Sequence, residues 1–151
     1  MQTLHPLANL ARESNIKLII EGNAIELEGI NSMNREAIVD AIRNGQTMPE
    51  KNLAGIDLSN LDLSGANLAG CDLSGANLRN SNLHRADLSD CRLCKADLRG
   101  ADLSQANLSG ADLIGARLRR ANLTRSIRIR TKIRKWAMKG AYIAGPTAYT
   151  D

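Results

Sequence analysis

Leucine recurs at every fifth position from Leu53 to Leu123, fifteen times without a gap. The residues around it recur as well, for example Ala-Asn-Leu-Ala-Gly at 66–70 and Ala-Asp-Leu-Ser-Gln at 101–105. A period of five fits neither an amphipathic helix nor an alternating strand. It indicates a chain that turns a corner every five residues, so about half of the molecule repeats one structural unit.

This pattern, A(D/N)LxX over residues 51–125, resembles the pentapeptide-repeat family. The resemblance implies an all-β solenoid, a right-handed quadrilateral β-helix of about four coils, with twenty residues per coil. Successive coils would then lie about 4.8 Å apart. In that fold the leucine and the residue two before it point into the tube. Only a small side chain fits the second inward site, and Ala, Ser or Cys occupies it from Ala66 onward.

The two ends depart from the pattern. Lys51, Ile56 and Leu61 occupy the small-residue site of the first repeats, so we expect the tube to start wide or irregular. At the other end Arg128 stands where leucine is expected, and we expect repetition to stop there. The stretch 131–139 then predicts a helix, with Trp136 covering the last coil.

Residues 1–50 contain no repeats. The sequence predicts a short helix over 6–13, strands over 16–21 and 24–28 joined by a Gly-Asn turn, and a helix over 33–44 with Ser32 as its N-cap. We therefore divide the chain into a small α+β N-terminal cap (1–50), a β-helix (51–125) and a helical, basic C-terminal cap or tail (126–151). An acidic docking element is the alternative reading of the first segment.

Charge is distributed unevenly along the chain. Residues 1–50 hold four Lys/Arg and seven Asp/Glu, residues 51–125 hold ten and eight, and residues 126–151 hold six and one. A basic tail thus follows a nearly balanced body, a polarity that concerns partners rather than fold. The sequence predicts no signal peptide and no membrane span. We expect a soluble protein of the cytoplasm, or of a virion or other particle assembled there.

A twenty-residue coil stacks residues twenty apart, so the outward positions can be read as columns. In the Asp/Asn position before each leucine, no two acidic residues are adjacent in any column. This alternation avoids like charges facing each other between strands. Arg92 falls between Asp72 and Asp112, which predicts a surface ladder of ion pairs worth about 1 kcal/mol or less per pair.

A different column is strongly basic. Arg79, Arg99 and Arg119 follow the leucines of one wall, and only Asp57 and Asp97 offset their charge. This wall is either an ordinary solvated surface or a strip that binds anions, such as acidic side chains, phosphates or nucleic acid. The candidate partner-binding residues are Arg79, Arg85, Lys95, Arg99, Arg117, Arg119, Arg120, Arg125, Arg128, Arg130, Lys132, Arg134 and Lys135.

The opposite wall is small and nearly neutral, with Ala69-Gly70, Ser89-Asp90 and Ser109-Gly110, which suits packing against other proteins or copies of itself. Cys71 and Cys91 stack inside the predicted tube within disulfide range, and we read them as reduced substitutes for alanine. Cys94 points outward, so the C-x2-C spacing predicts no metal site. The chain offers no nucleophile–base set and no phosphate-cradling glycine loop; we expect no catalysis and no cofactor.

Three functions remain open. The first is a non-catalytic interaction module, a short rigid rod that docks into a larger bacterial or phage assembly through its arginine wall and its termini. The second is sequence-tolerant nucleic-acid binding. The third, implied by the resemblance, is mimicry of DNA toward DNA gyrase. The charge alternation argues against mimicry, as does a tube of roughly 18 Å against about 34 Å for one DNA turn.

Overall fold

The computed structural model describes residues 17–21, 24–28, 35–46 and 51–144. Strand β1 (Lys17–Glu21) pairs antiparallel with β2 (Ala24–Glu28), with Glu21 opposite Ala24. Helix α1 spans Arg35–Arg43, and a single 3₁₀ helix spans Lys135–Met138. The predicted hairpin and the helix after it are therefore confirmed. The predicted helix over 6–13 and the N-cap Ser32 lie outside the described residues.

From residue 51 onward the backbone is a stack of coils with a twenty-residue period. With the exception of Arg117, the residue before each leucine of the repeats bridges in parallel to the residue twenty positions later, beginning with Asn52↔Asp72 and Asp57↔Asn77. The amide of Leu53 donates to the Asp72 carbonyl at 2.7 Å, and the amide of Asp72 donates to the Lys51 carbonyl at 2.8 Å. These bonds confirm the predicted columns, because the bridged residues lie twenty positions apart.

The corners account for the period of five. Each corner is a tight turn, as where the Ala66 amide donates to the Leu63 carbonyl at 3.1 Å. The last residue of each repeat adopts a positive φ, a conformation that glycine adopts without strain. Nine non-glycine residues hold it as well. They are Asn60, Asn80, Arg85, Asp90, Lys95, Gln105, Arg120, Arg125 and Arg130.

Leucine and the small inward residues fill the tube. None of the fifteen leucines is more than 2% exposed, and burial of each contributes roughly 1.5–3 kcal/mol. The residues at the predicted small inward site are likewise buried, from Ala66 to Ser126. Where that site holds serine, the hydroxyl donates to a backbone carbonyl, from Ser81 to Leu78 at 2.7 Å and from Ser126 to Leu123 at 2.8 Å. The hydroxyl groups of these two buried serines are thereby satisfied.

At the N-terminal end, α1 shares the core of the tube. Its apolar residues belong to the same buried cluster as Leu53, Leu58 and Leu63. The prediction of an irregular start is wrong for the backbone, since the bridges are regular from Asn52. Ile56 and Leu61 fit the small-residue site because they lie at the end of the stack, where they are half-buried against the core.

The coils also continue past the point where the sequence predicts their end. Bridges join Asn107 to Ile127, Asp112 to Lys132 and Asn122 to Tyr142. The ladder continues because it uses backbone N–H and C=O groups, which do not depend on the inward side chain. The residues that take over the leucine register are Arg128, Ile133, Met138 and Ile143. The boundary at 126 therefore stays a division of the sequence, with no break in the described backbone.

Trp136 does not cover the last coil, contrary to the prediction; its side chain is 68% exposed. In the twenty-residue register Trp136 stacks on Ala116, so it falls on the small inward site, where an indole does not fit. The backbone leaves the coil pattern there and forms the 3₁₀ helix Lys135–Met138, which buries Ala137 and Met138 instead. The longer helix predicted over 131–139 is reduced to this single turn.

Candidate interaction surface: the arginine face

One wall of the tube carries a column of cations, which we call the arginine face. It comprises residues 56–60, 76–80, 96–100 and 116–120 with the 3₁₀ segment 136–140, and bridges through Asp57, Asn77, Asp97 and Arg117 fix its register. Arg79, Arg99 and Arg119 stack at about 4.8 Å per coil. Lys139 lies near Arg119 at the end of this column. The coil is out of register there, because the Arg120 amide donates to the Gly140 carbonyl at 2.7 Å, whereas the Gly100 amide one coil earlier donates to the Arg119 carbonyl.

The central arginine is held by a carboxylate. The Arg99 side chain donates to Asp97 through Nε at 2.8 Å. This bond holds the pKa of Asp97 below its usual value, with a smaller contribution from the charge of Arg79. The same contact raises the pKa of Arg99. Arg99 is thus fixed in place, with its charge largely offset.

The flanking cations differ from Arg99. Within the described ranges, the guanidinium groups of Arg79, Arg117, Arg119 and Arg120 form no ion pair or side-chain hydrogen bond, and neither does the ammonium of Lys139. The described ion pairs of the tube are instead Arg92–Asp72, Arg99–Asp97 and Lys132–Asp112. The arginine face therefore presents unneutralised positive charge on both sides of a fixed centre.

Two adjoining hollows lie on this face. The first encloses about 200 Å³, and its lining is Arg79, Asn80, Arg99, Gly100, Arg119 and Arg120. The Asn80 side chain lies over Gly100, in the space that a side chain at that position would take. The second, of about 360 Å³, is bounded by Trp136, Ala137, Leu118 and Arg117 among others. Arg99 and Arg119 line both hollows, so the two are contiguous.

Comparison with known proteins identifies the architecture. A family model described as pentapeptide repeats (8 copies) matches residues 52–85 and 86–125. A pentapeptide repeat protein from Nostoc Pcc 7120 is 34% identical over 72% of this chain and 94% of its own, with a TM-score of 0.61. The chain belongs to the pentapeptide-repeat family. Its tube is accordingly a right-handed β-helix.

Two further solved structures are similar to this chain. A thylakoid lumen protein from Arabidopsis thaliana is 28% identical over 66% of this chain and 66%, just under two thirds, of its own, with a TM-score of 0.57. QnrB1, a plasmid-mediated fluoroquinolone resistance protein, is 18% identical over 61% of this chain and 84% of its own, with a TM-score of 0.35. At that distance QnrB1 supports no functional argument. No curated protein matches the sequence.

The other predicted partner-binding residues lie apart from the arginine face or at its edge. Lys95 is at the corner leading into the face, with a φ of 60°. Arg85 and Arg125 are separated by Gln105, whose side-chain oxygen Oε1 accepts a hydrogen bond from Arg85 Nε at 3.1 Å. Among the basic residues beyond the pentapeptide repeats, Lys132 pairs with Asp112 at 3.9 Å. The exposed cations of that segment are Arg130, Lys132, Arg134 and Lys135.

Arg128 is the exception among the predicted residues. It is 5% exposed, and its Nη1 lies 4.0 Å from the Met138 sulfur inside the pentapeptide-repeat tube. The prediction that Arg128 contacts a partner is wrong for this conformation, because its guanidinium is turned away from the surface. The predicted ladder at Arg92 is half right: Arg92 pairs with Asp72 at 3.7 Å, and Asp112 pairs with Lys132.

The wall opposite the arginine face, residues 66–70, 86–90, 106–110 and 126–130, is the small-residue face of this pentapeptide-repeat tube. Asp90 leans over Gly110, where any larger side chain would overlap its carboxylate. Ser89 and Ser109 occupy the positions that arginines hold on the arginine face. This face is therefore low in relief through its middle coils, as the sequence predicts.

Cysteines and histidine of this pentapeptide-repeat protein form no catalytic set among the described residues. Cys71 and Cys91 are buried thiols that form no disulfide, and the Cys91 thiol donates to the Leu68 carbonyl at 2.8 Å. Burial, reinforced by the neighbouring Cys71, raises the pKa of the Cys91 thiol to about 12, so the reactive thiolate is disfavoured. His84 Nδ1 lies 2.8 Å from the Ser104 hydroxyl. In the described ranges we find no cluster of three metal-ligating side chains and no helix able to span a membrane.

Proposed function

We propose that this protein is a non-catalytic interaction module, a short rigid rod whose arginine face docks onto an acidic surface of a partner protein. The proposed setting is a larger assembly, bacterial or phage, in the cytoplasm or in a particle assembled there. The termini are the proposed secondary contacts, through the exposed cations at 130–135. In this proposal the tube serves as a spacer that holds the cations at fixed separation.

The observation that carries the proposal is the unpaired charge of one column. Arg79 and Arg119 flank the fixed Arg99 without a carboxylate partner among the described residues, and the nearby Lys139 has none there either. By contrast, Arg92 and Lys132 on another wall pair with the coil beneath. Like charges stacked in one column repel each other. An acidic partner removes that repulsion, and arginine suits the task because its planar fork binds carboxylates in bidentate fashion.

Arg120 adds to the charge of the same face. Its wall has Gly100 at the corresponding corner one coil earlier, and Arg120 lines the first hollow with Arg79 and Arg119. The positive φ of this corner is shared by Arg85 and Arg125 on another wall, so the charge of Arg120, and not its backbone conformation, supports the proposal.

Mimicry of DNA toward DNA gyrase has less support. The acidic residues alternate with Asn or with basic residues in every bridged column, so no wall presents a continuous anionic strip. The most basic column, that of Arg79, Arg99 and Arg119, holds no carboxylate. We therefore keep mimicry only as an outcome that the following experiment can reveal.

The test is affinity capture from nuclease-treated lysate with three baits: wild type, Arg79/Arg99/Arg119→Glu, and the matched control Arg43/Arg85/Arg125→Glu. All three control sites are exposed and lie away from the arginine face and from residues 130–135, and the charge change is identical. We expect wild type and control to retain one partner in common and the first variant to lose it. Equal retention by both variants overturns the proposal, and capture of gyrase subunits by all three favours mimicry.

A further inference from the structure

The two hollows of the arginine face have different linings, and the difference indicates a composite ligand. The first is lined by four arginines, Asn80 and Gly100. The second is bounded by the indole of Trp136, the apolar Leu118 and Ala137, and the cations Arg117 and Lys139. Because they share Arg99 and Arg119, one small molecule or one unit of a polymer can occupy both.

The first hollow suits a phosphate group. Arg79, Arg119 and Arg120 have no ion-pair partner in the described part of the chain, and all three line this hollow. A phosphate carries more charge and more acceptor oxygens than a single carboxylate, so it can satisfy several guanidinium groups at once. The volume of about 200 Å³ leaves space for a phosphate group and part of the moiety that carries it.

The second hollow suits a flat ring. Trp136 is 68% exposed, because the small inward site excludes its indole and the 3₁₀ turn places it outside the tube. An exposed indole beside arginines is the combination on which nucleobases stack, with the cations close to the backbone phosphates. A carboxylate side chain of a protein would use the first hollow and leave the indole in water. The second hollow therefore favours a ligand with a base.

We infer that the arginine face is a binding site for a nucleotide unit, with its phosphate among Arg79, Arg119 and Arg120 and its base against Trp136. The unit can be a free nucleotide or part of a single strand, and the contacts do not discriminate among bases. This inference goes beyond the docking function and does not require it. The two are connected, since a bound nucleotide and an acidic partner would compete for Arg99 and Arg119.

Trp136 provides its own readout, because it is the only tryptophan in the chain. Its fluorescence is titrated at low salt with three probes: inorganic phosphate, thymidine monophosphate and an oligothymidylate of five nucleotides. We expect quenching by the nucleotide-bearing probes and none by phosphate alone, which instead competes with them. Quenching by the mononucleotide assigns the site to free nucleotides, whereas quenching by the oligonucleotide alone assigns it to single strands.

Variants then separate this site from general charge. Binding of a labelled oligothymidylate is followed by fluorescence anisotropy for Trp136→Leu, for Arg79/Arg119→Ala, and for Arg85/Arg125→Ala as the matched control. We expect Trp136→Leu to weaken binding about tenfold. Arg79/Arg119→Ala should weaken it at least as much and flatten its salt dependence, since two phosphate contacts are lost. The control should bind as wild type does. Circular dichroism confirms that each variant is folded.

Three results would overturn the inference. The first is an absence of quenching by both nucleotide-bearing probes. The second is an equal loss of affinity in Arg85/Arg125→Ala, which would indicate non-specific attraction to a basic protein. The third is full affinity in Trp136→Leu, which would remove the base contact. No partner protein takes part in these measurements, so a negative result leaves the docking proposal to its own test.

Discussion

The arginine face and the small-residue face share one interior and differ almost entirely outside. Under both, leucine fills the tube and a parallel bridge joins each coil to the next. Outside, Arg99 on one wall corresponds to Ser89 and Ser109 on the other. The fold of a coil therefore depends on inward residues and backbone bonds, and the outward positions are free to carry a function.

The two faces also end differently, for a reason inside the tube. On the small-residue face, Ser126 fits the small inward site, and the wall continues as a bridge between Asn107 and Ile127. On the arginine face, Trp136 falls on that site and is excluded from it. The 3₁₀ turn follows, and the indole lies among the cations. One oversized residue thus converts the end of a uniform wall into a varied surface.

The largest expected effect tests whether the interior is the same beneath both walls. We predict that Leu98→Ala, under the arginine face, and Leu108→Ala, under the small-residue face, each reduce the free energy of unfolding by about 3 kcal/mol. Both leucines are buried, and they lie on opposite walls of one coil. Urea denaturation measures the two values. A difference above about 1.5 kcal/mol between them would contradict the equivalence of the two interiors.

An intermediate effect concerns the carboxylates outside. Arg99 lowers the pKa of Asp97, so this pair stabilises the fold above the unfolded-state pKa, and the stabilisation is lost as pH falls through the lower, folded-state pKa. We predict that Asp97→Asn reduces the free energy of unfolding by about 1 kcal/mol at pH 7. The difference from wild type should shrink below the usual carboxyl pKa of 3.8.

Denaturation across the acid range checks this prediction. Asp87→Asn is the matched control on the small-residue face, where the carboxylate accepts from the Ser89 amide at 3.0 Å and the Asn107 side chain at 3.3 Å. The control should lose less stability at pH 7. An equal loss in both variants would show that Arg99 adds nothing beyond the local turn.

The smallest effect sharpens the comparison by making the two walls more alike. We predict that Ser89→Arg/Ser109→Arg changes the free energy of unfolding by less than about 0.5 kcal/mol, since both positions face outward. In a protein that also carries Trp136→Leu, the graft should not raise the affinity for oligothymidylate above that of Trp136→Leu alone, because the small-residue face has no indole. Restored binding would mean that a basic column alone is sufficient.

The sequence predicts the interior well because periodicity there is a packing requirement. Leu53 to Leu123, the small inward residues and the pairing of columns follow directly from the five- and twenty-residue spacings. The hairpin β1–β2 follows from alternation around Gly-Asn. These features are local or strictly periodic, so one chain reveals them without knowledge of its tertiary contacts.

The end of the tube is harder to predict from the sequence, because the leucine period stops there while the backbone bridges continue. Arg128 breaks the leucine pattern, but the bridges between coils are formed by backbone groups and continue to Tyr142. Periodicity places Trp136 on an inward site without telling where the excluded ring goes. Likewise, only the structure shows that Asp97 forms its ion pair with Arg99 rather than with Arg79.

The twenty-residue stack has a consequence for insertions and deletions. One repeat is a quarter turn, so removing five residues from the middle of the tube rotates everything after the deletion by one wall. Trp136 would then stand above a different column, parted from Arg79. Removing twenty residues restores the alignment and only shortens the rod. Genes of this kind can therefore alter in whole-turn steps the distance between the two ends, and in quarter-turn steps the direction in which the far end points.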